Sequence, residues 1–293
     1  MKELDIAFVI LHYLVFEQTK KSIESIKKNV DTKNFLIVVV DNFSNNGSLE
    51  KLEQYINGDE SVVIVKNQKN LGFANGNNSG INYINKNYDC RFICVLNNDV
   101  YLQSPNIFSA LNNEYKVSDF AVAGPKIYTK EGRCDSNPKS TNVFSLKNIK
   151  HRQIEINLYY FLYKLHLDCL VNLLERRKNH NSVDLNTNNS EKTDKKIYNV
   201  QLHGCFYVFS KKYFEFYNGF DDRTFLYMEE EILFQHLLNK KLTSVYLPEI
   251  EVFHEEYGST NVMLNNQTRT KKIFILKHHK NSIKVLLDVM KDN

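Results

Sequence analysis

Between residues 5 and 96 the chain alternates short apolar runs with amphipathic stretches, and that alternation constrains the fold more than any other feature. DIAFVIL (5–11), FLIVVV (35–40), SVVIV (61–65) and RFICVL (91–96) are short and rich in Val and Ile, and read as buried strands. QTKKSIESIKKNV (18–30) places Ile23, Ile26 and Val30 on one helical face. GSLEKLEQYI (47–56) reads as a second helix, and ANGNNSGINYINKN (74–87) starts as a loop and becomes a third. Strand, helix, strand, helix predicts an α/β fold with a mostly parallel central sheet flanked by helices. Ligands of such sheets bind beyond the carboxyl ends of the strands. Those ends carry DNFSNN (41–46), KNQKNLGFANGNN (66–78) and NND (97–99), so these polar stretches are expected to converge on one edge.

The second half follows a different pattern. Residues 151–178 predict one long helix or a helical hairpin with an aromatic face and a basic end at Arg176, Arg177 and Lys178. Residues 179–196 are polar and low in apolar side chains, and read as a mobile loop. Order resumes at IYNVQLHGCFYVFS (197–210), strand-like around a glycine. Residues 211–241 read as mostly helical, 244–260 as two short strands with a turn, and 266–290 as a basic amphipathic helix. Four segments follow: a ligand-binding half (1–130), a helical insertion with its loop (131–196), a second half of the same domain (197–260) and a C-terminal amphipathic helix (261–293).

Composition closes off several classes. Lys plus Arg number 38 against 34 Asp plus Glu, a net charge of +4, which is not the footprint of a nucleic-acid binder. The five cysteines are scattered without CxxC spacing, so neither a zinc knuckle nor a disulfide framework is indicated. The first apolar run is too short to span a membrane and has no small-residue cleavage site, which points to a cytoplasmic location.

Five places carry chemistry. Asp41 ends a strand ahead of Asn42, Ser44 and Gly47, and fits either a turn or a carboxylate that binds a nucleobase or ribose. In NLGFANGNNSG, Gly72, Gly76 and Gly80 permit close backbone approach; the spacing is neither GxGxxG nor a P-loop. Asp99, with Asn97 two residues before it, can ligate a hard divalent cation with positions left for phosphate oxygens. Glu229, Glu230 and Glu231 lie in a helical pattern between apolar residues. At about 100° per residue they cannot share a face, so one is expected toward the core, where burial raises a carboxyl pKa and suits a base. His254 fits a strand end or a metal or phosphate ligand.

The ordered series VILHY, VVVDNFSNNGS, NQKNLGFANGNNSG, VLNNDV, LHGCFYVFS, GFDDRTFLYMEEEIL and VFHEEYGS resembles the inverting nucleotide-sugar glycosyltransferases of family two, with the GT-A fold. It looks most like bacterial rhamnosyl- or galactosyl-transferases of capsule, O-antigen and cell-wall polysaccharide synthesis. The resemblance implies a UDP- or dTDP-sugar donor, a glycan or lipid-linked saccharide acceptor, and Mn2+ or Mg2+ as cofactor. It implies donor-binding roles for Asp41, Asn42, Asn70, Gly72, Phe73, Asn77, Asn78, Asn97, Asn98, Asp99, His203 and Gly204. It assigns metal binding to Asp99 and His254, and matches Glu230 to the general base of a Glu-Asp pair whose first acid is Glu229. The chain departs from the family twice: the metal element is Asn97-Asn98-Asp99, with one carboxylate, and the pair is Glu-Glu-Glu, so Glu229 and Glu231 also stand as alternative bases to Glu230.

Two rivals are weighed. A sugar-nucleotide pyrophosphorylase would carry a glycine-rich basic loop after the first strand, where this chain has HYLVFEQTKKS. A non-catalytic relative acting as a partner in polysaccharide assembly would not need Asp41, Asp99 and the acids at 229–230. The tail helix has two destinations, its own domain or an anionic membrane surface, the second making the protein peripheral on the inner face of the membrane.

Overall fold

The computed structural model describes residues 1–130, 137–139, 144–181, 194–256 and 268–292. Its centre is a nine-stranded sheet. The first part is built from β1 (Lys2–His12), α1 (Phe16–Asn29), β2 (Phe35–Asp41), α2 (Ser48–Tyr55), β3 (Val62–Lys66), α3 (Gly72–Asn87) and β4 (Tyr88–Asn97). Next come β5 (Val100–Leu102), α4 (Ile107–Ser118) and β6 (Val122–Thr129), then α5 (Leu146–Lys164), α6 (Asp168–Asn181) and β7 (Ile197–Tyr198). The chain ends with β8 (Phe206–Ser210), α7 (Lys211–Phe214), α8 (Glu229–Asn239), β9 (Ser244–His254) and α9 (Thr268–Val289).

The strand order is β3-β2-β1-β4-β8-β6-β9-β5, with β7 paired to β9. β3, β2, β1 and β4 are mutually parallel, as the alternation predicts. Beyond β4 the sheet is mixed: β8 runs antiparallel to β4 and β6, while β6 and β9 are parallel. The chain therefore leaves β1 in both directions, to β2 on one side and β4 on the other. This is the switch point at which an open sheet forms a crevice. Register aligns the polar ends there: His12 lies opposite Asp41, and Leu11 opposite Asn97.

Period-2 alternation divides the core between the two faces of the sheet. Ile6, Phe8, Ile10, Ile37, Val39, Phe92 and Cys94 pack with Ile23, Ile26, Leu52 and Leu111 of α1, α2 and α4. Ala7, Val9, Val38, Val40, Ile93 and Val95 pack with Ile81 and Ile84 of α3, and with Leu233 and Leu237 of α8. α3 lies close to the sheet because Gly80 has no side chain: a Cβ there would stand 2.5 Å from Val9 Cγ1. A third cluster joins Ile149 and Ile156 of α5 and Ile232 of α8 to Ile283 and Leu286 of α9.

Three local expectations are corrected, and of the two readings of residues 151–178 the hairpin is the one observed. Helix α3 begins at Gly72, with no loop at its start. The long helical stretch breaks at residues 165–167, where His166 takes φ 62°, so it is a hairpin of two helices. Residues 211–241 hold only the short α7 and α8; the Asn218–Gly219 turn, with Gly219 at φ 142°, and left-handed Tyr227 and Met228 interrupt the apolar pattern. The two short strands expected over 244–260 are one strand, β9, with a register irregularity opposite Pro125 and Lys126 that hides its continuity; residues 257–260 lie outside the described residues. The mobile-loop expectation falls mostly on residues 182–193, which also lie outside them.

Candidate active site

At the switch point lies a cleft of about 420 Å³. Its walls include Leu11 and Tyr13 after β1, Asn42 after β2, Asn70, Gly72 and Phe73 at the start of α3, and Asn97, Asn98 and Asp99 after β4. His254 and Glu256 after β9, Phe225 and Leu226 before α8, and Phe274 of α9 complete the lining.

The β2 side is held by one asparagine. Asn42 donates from Nδ2 to Asn70 Oδ1 (3.0 Å) and to the Gly72 carbonyl (3.1 Å). Its Oδ1 accepts from Leu71 N (2.9 Å) and Asn67 Nδ2 (3.2 Å). The loop that follows β3 is thereby fixed against the end of β2. Asp41 is buried and accepts the Ser44 N–H on both oxygens at 3.2 Å, the geometry of a turn. Asn42, not Asp41, lines the cleft. Gly72 adopts φ 78°, and a Cβ there would sit 2.0 Å from the Phe225 carbonyl oxygen, which accepts from Phe73 N at 2.7 Å. A glycine is needed both for that backbone conformation and for that approach. Asn77 and Asn78 stand apart from the cleft lining. Asn77 donates to the Phe73 carbonyl, and Asn78 bonds the Phe220 N–H (2.8 Å) and carbonyl (2.9 Å), tying α3 to the segment ahead of α8.

On the β4 side, Asn98 donates to Thr19 Oγ1 (3.2 Å), which contacts His12 Nδ1 at 2.7 Å; His12 Nε2 meets Ser48 Oγ at 2.9 Å. This buried row ties the Asn97–Asp99 turn to α1 and α2. Burial pushes the His12 imidazole down to about 4, so the row is neutral. Pairing of Val100 with His254 brings β9 alongside the turn, and His254 Nε2 lies 3.4 Å from Asp99 Oδ1. Burial opposes charge on His254, but Asp99 and Cys205 beside it outweigh burial and hold its pKa well above the usual imidazole range. The same neighbours act on buried Cys205. Burial pushes that thiol up, while His203 and His254 bring it below its ordinary value.

The three adjacent glutamates diverge, as their helical spacing predicts. Glu229 has the enclosed oxygen: burial first, then Glu230 and Glu231 beside it, push its carboxyl up to about 7, and its Oε1 has no hydrogen-bond partner. Glu230 accepts the Gly204 N–H on Oε1 (2.6 Å) and the Lys139 ammonium on Oε2. Glu231 pairs with Arg152 at 3.2 Å. All three sit in the first turn of α8, where the helix dipole favours carboxylates.

A row of contacts connects the two acidic places. Glu230 Oε1 lies 3.9 Å from His203 Nδ1, the His203 and His254 rings are 6.0 Å apart, and His254 reaches Asp99. Asp99 and His254 line the cleft, whereas His203, Gly204 and Glu230 stand behind His254 and are not part of its lining. Sequence reasoning missed the roles of Tyr13, Phe225, Phe274, Lys139 and Cys205. Tyr13 and Cys205 stand inside the motifs VILHY and LHGCFYVFS, so the signal was present; Phe274 and Lys139 gave none.

Asp99 and His254 are the groups that would hold a divalent cation. Among the described residues no group of three or more His, Cys, Asp or Glu encloses one point. Asp99 on an open cleft wall fits a cation that takes its remaining ligands from phosphate oxygens and water, with His254 joining once the cation displaces its proton.

Residues 8–182, more than half of the chain, match the family model described as Glycosyl transferase family 2. No curated protein matches the chain. Among solved structures it is similar to GalNAc-T7 with UDP, GalNAc and Mn2+ (TM-score 0.58, 14% identity, 86% of this chain and 44% of that one). It is also similar to S. aureus TarS 1-349 (TM-score 0.52, 15% identity, 99% and 71%) and to the same protein in complex with UDP (TM-score 0.51, 14% identity, 97% and 69%). The chain spans less than half the length of the GalNAc-T7 chain. At these identities the likeness shows the fold, which is GT-A.

Proposed function

The chain belongs to glycosyl transferase family 2, and from that premise we propose that it moves a sugar from a UDP- or dTDP-linked donor to a hydroxyl of a glycan or lipid-linked saccharide, with inversion. The observation that carries this reading is the row of neighbours from Glu230 through His203 and His254 to Asp99, whose last two members line the cleft. A carboxylate suited to a donor diphosphate and a carboxylate suited to an acceptor hydroxyl are what a direct displacement requires.

The donor diphosphate lies along the end of β4, near Asp99 and His254. A Mn2+ or Mg2+ ion held there would stabilise the negative charge of the departing nucleoside diphosphate. Asn42, Asn70 and the first turn of α3 support the nucleoside side, with Asp41 behind them. Phe73, Phe225 and Leu226 exclude water from the sugar. Glu230 takes the proton of the acceptor hydroxyl, and the hydroxyl oxygen attacks the anomeric carbon. The bond from that carbon to the diphosphate oxygen breaks on the opposite face, and its electron pair leaves with the nucleoside diphosphate. Gly204 and Lys139 aim the Glu230 carboxylate. GalNAc-T7, solved with UDP, GalNAc and Mn2+, and TarS, solved with UDP, support a nucleotide-sugar donor. The likeness of the motif series to bacterial enzymes supports a role in surface polysaccharide synthesis at the inner face of the membrane.

The test is a panel of UDP-, dTDP- and GDP-sugars, with and without manganese, against the native chain, Asp99→Ala and Glu230→Gln. The expected result is one donor bound with metal, weakened by Asp99→Ala, and bound but not transferred by Glu230→Gln. Failure of every sugar nucleotide to bind would overturn the reading.

A further inference from the structure

The described residues expose thirteen large hydrophobic side chains, and eight of them fall between Leu146 and Leu173. Isolated surface hydrophobics are ordinary, but this concentration is not. It is also patterned. Ile154 (67% exposed), Leu158 (45%), Phe161 (59%) and Leu165 (52%) recur at helical spacing along α5. At about 100° per residue they fall within an arc of about 60°. Leu170 and Leu173 of α6 add 43% and 46% exposed side chains, three residues apart.

The opposite side of this hairpin is already occupied. Leu162 and Val171 are buried there with Tyr163, against Ile273 and Leu276 of α9. The exposed stripe is therefore a second apolar face on helices that have used the first one for packing. The tail helix has no comparable face free: its Ile283, Leu286 and Leu287 are buried against the body of the domain.

Charge identifies the occupant. Helices α5, α6 and α9 together carry thirteen Lys and Arg against four Asp and Glu, a net +9 in a chain whose total is +4. The rest of the chain is thus acidic. Some of that basic charge stands near the stripe: Lys164, one residue before Leu165, has its ammonium 5.9 Å from the ring centre of Tyr160, which Lys280 of α9 also reaches at 5.2 Å. Apolar side chains at the centre, aromatic rings beside them and lysines near them match the layered chemistry of an anionic lipid interface. Among the described residues no helix is long and apolar enough to cross a membrane, so contact of this kind lies in the interface plane.

We propose that the exposed stripe of the α5–α6 hairpin, with lysines of α5 and α9 near it, docks the protein on an anionic lipid surface. The binding face is the hairpin, with α9 supplying charge while its apolar residues stay in the core. Phe274 of α9 also lines the cleft, so a docked hairpin holds that cleft beside the membrane. The inference concerns binding alone and stands apart from the reaction proposed above.

The test is sedimentation of the full chain with vesicles of phosphatidylcholine alone and of phosphatidylcholine mixed with phosphatidylglycerol. Binding is expected only to the mixed vesicles and is expected to weaken as salt rises. The triple variant Leu158→Ser, Phe161→Ser, Leu165→Ser should lower partitioning about tenfold or more. Lys164→Glu with Lys280→Glu should lower it about tenfold and flatten the salt dependence. Circular dichroism and the melting temperature of each variant establish that it is folded. Absence of binding by the native chain, or undiminished binding by the folded triple variant, would overturn the proposal. So would native self-association that the triple variant abolishes without any vesicle binding, because a second copy would then be what covers the stripe.

Discussion

Asp99 is buried and Glu229 half-buried with its Oε1 enclosed, and the fold treats the two carboxyls oppositely. Asp99 stands at a strand end with an imidazole 3.4 Å away, on the wall of an open cleft. Glu229 stands inside the first turn of α8 with an unpartnered oxygen and two further glutamates beside it. The first environment supplies compensating charge; the second withholds it. Burial by itself does not say whether a carboxylate is kept charged for use or driven toward its neutral form. Between these extremes Glu230 is only partly covered and held by two donors. Of the triplet, Glu230 is the one proposed above as the base.

The sharpest way to break the contrast is to remove charge from each acid in turn. Glu230→Gln keeps the shape and the hydrogen bond from Gly204, so donor binding should survive. The loss of a base is expected to lower kcat by about 10²- to 10⁴-fold. Turnover and donor affinity measured on the same preparation check this, and unchanged turnover would move the base elsewhere in the triplet.

Next in size is the backbone contact between Gly72 and Phe225, both of which line the cleft. Gly72→Ala would force a Cβ against the Phe225 carbonyl at a positive φ. A loss of roughly 3 kcal/mol in stability is expected, with weakened donor binding in the fraction that folds. Urea unfolding followed by fluorescence measures it; a shift below about 0.5 kcal/mol would mean that the Phe225 segment yields easily.

Asp99→Asn is expected to be smaller still. It removes the charge that faces His254 while leaving the turn after β4 intact. Donor affinity in manganese should fall by about 10- to 100-fold, the scale of one charged hydrogen bond or ligand. Without metal the native chain and the variant should converge, which calorimetry on both would reveal; an equal loss without metal would assign Asp99 to direct donor contact.

Much of this arrangement was legible in the sequence because it depends on local pattern. The four strands of the first part follow from short Val- and Ile-rich runs, and the convergence of Asn42, Asn70, Gly72 and Asn97–Asp99 follows from parallel pairing. What was not legible depends on partners far along the chain. The different fates of the three glutamates are set by Lys139, Arg152 and Gly204, none of which lies near them in sequence. Phe274 reaches the cleft only because α9 packs back on α5 and α8. The stretch 211–241 misled because its apolar residues recur at helical spacing, while two left-handed residues and an Asn-Gly turn decide the backbone. Asn77 and Asn78, both within a motif, serve the packing of α3, and only the placement of Phe220 and Phe73 reveals it.

The smallest predicted effect isolates the other side of the comparison. Glu229 has a folded-state pKa raised from 4.5 to about 7. A raised carboxyl pKa means that the folded state holds the proton more tightly than the unfolded state. The contribution to stability is therefore full below pH 4.5, declines as pH rises, and is lost once pH passes about 7. Glu229→Gln carries no titrating charge, so it should lower stability by about 1–2 kcal/mol at pH 4, where only the burial of its amide is felt, and raise it at pH 8. Linkage alone would give a gain of up to about 3 kcal/mol. Burial of the amide without full hydrogen bonding reduces that to about 1–2 kcal/mol. Urea midpoints of the native chain and the variant, measured from pH 4 to 8, should separate across that window. A gap that stays constant with pH would mean that Glu229 is not the group that titrates, and the contrast with Asp99 would then rest on partners alone.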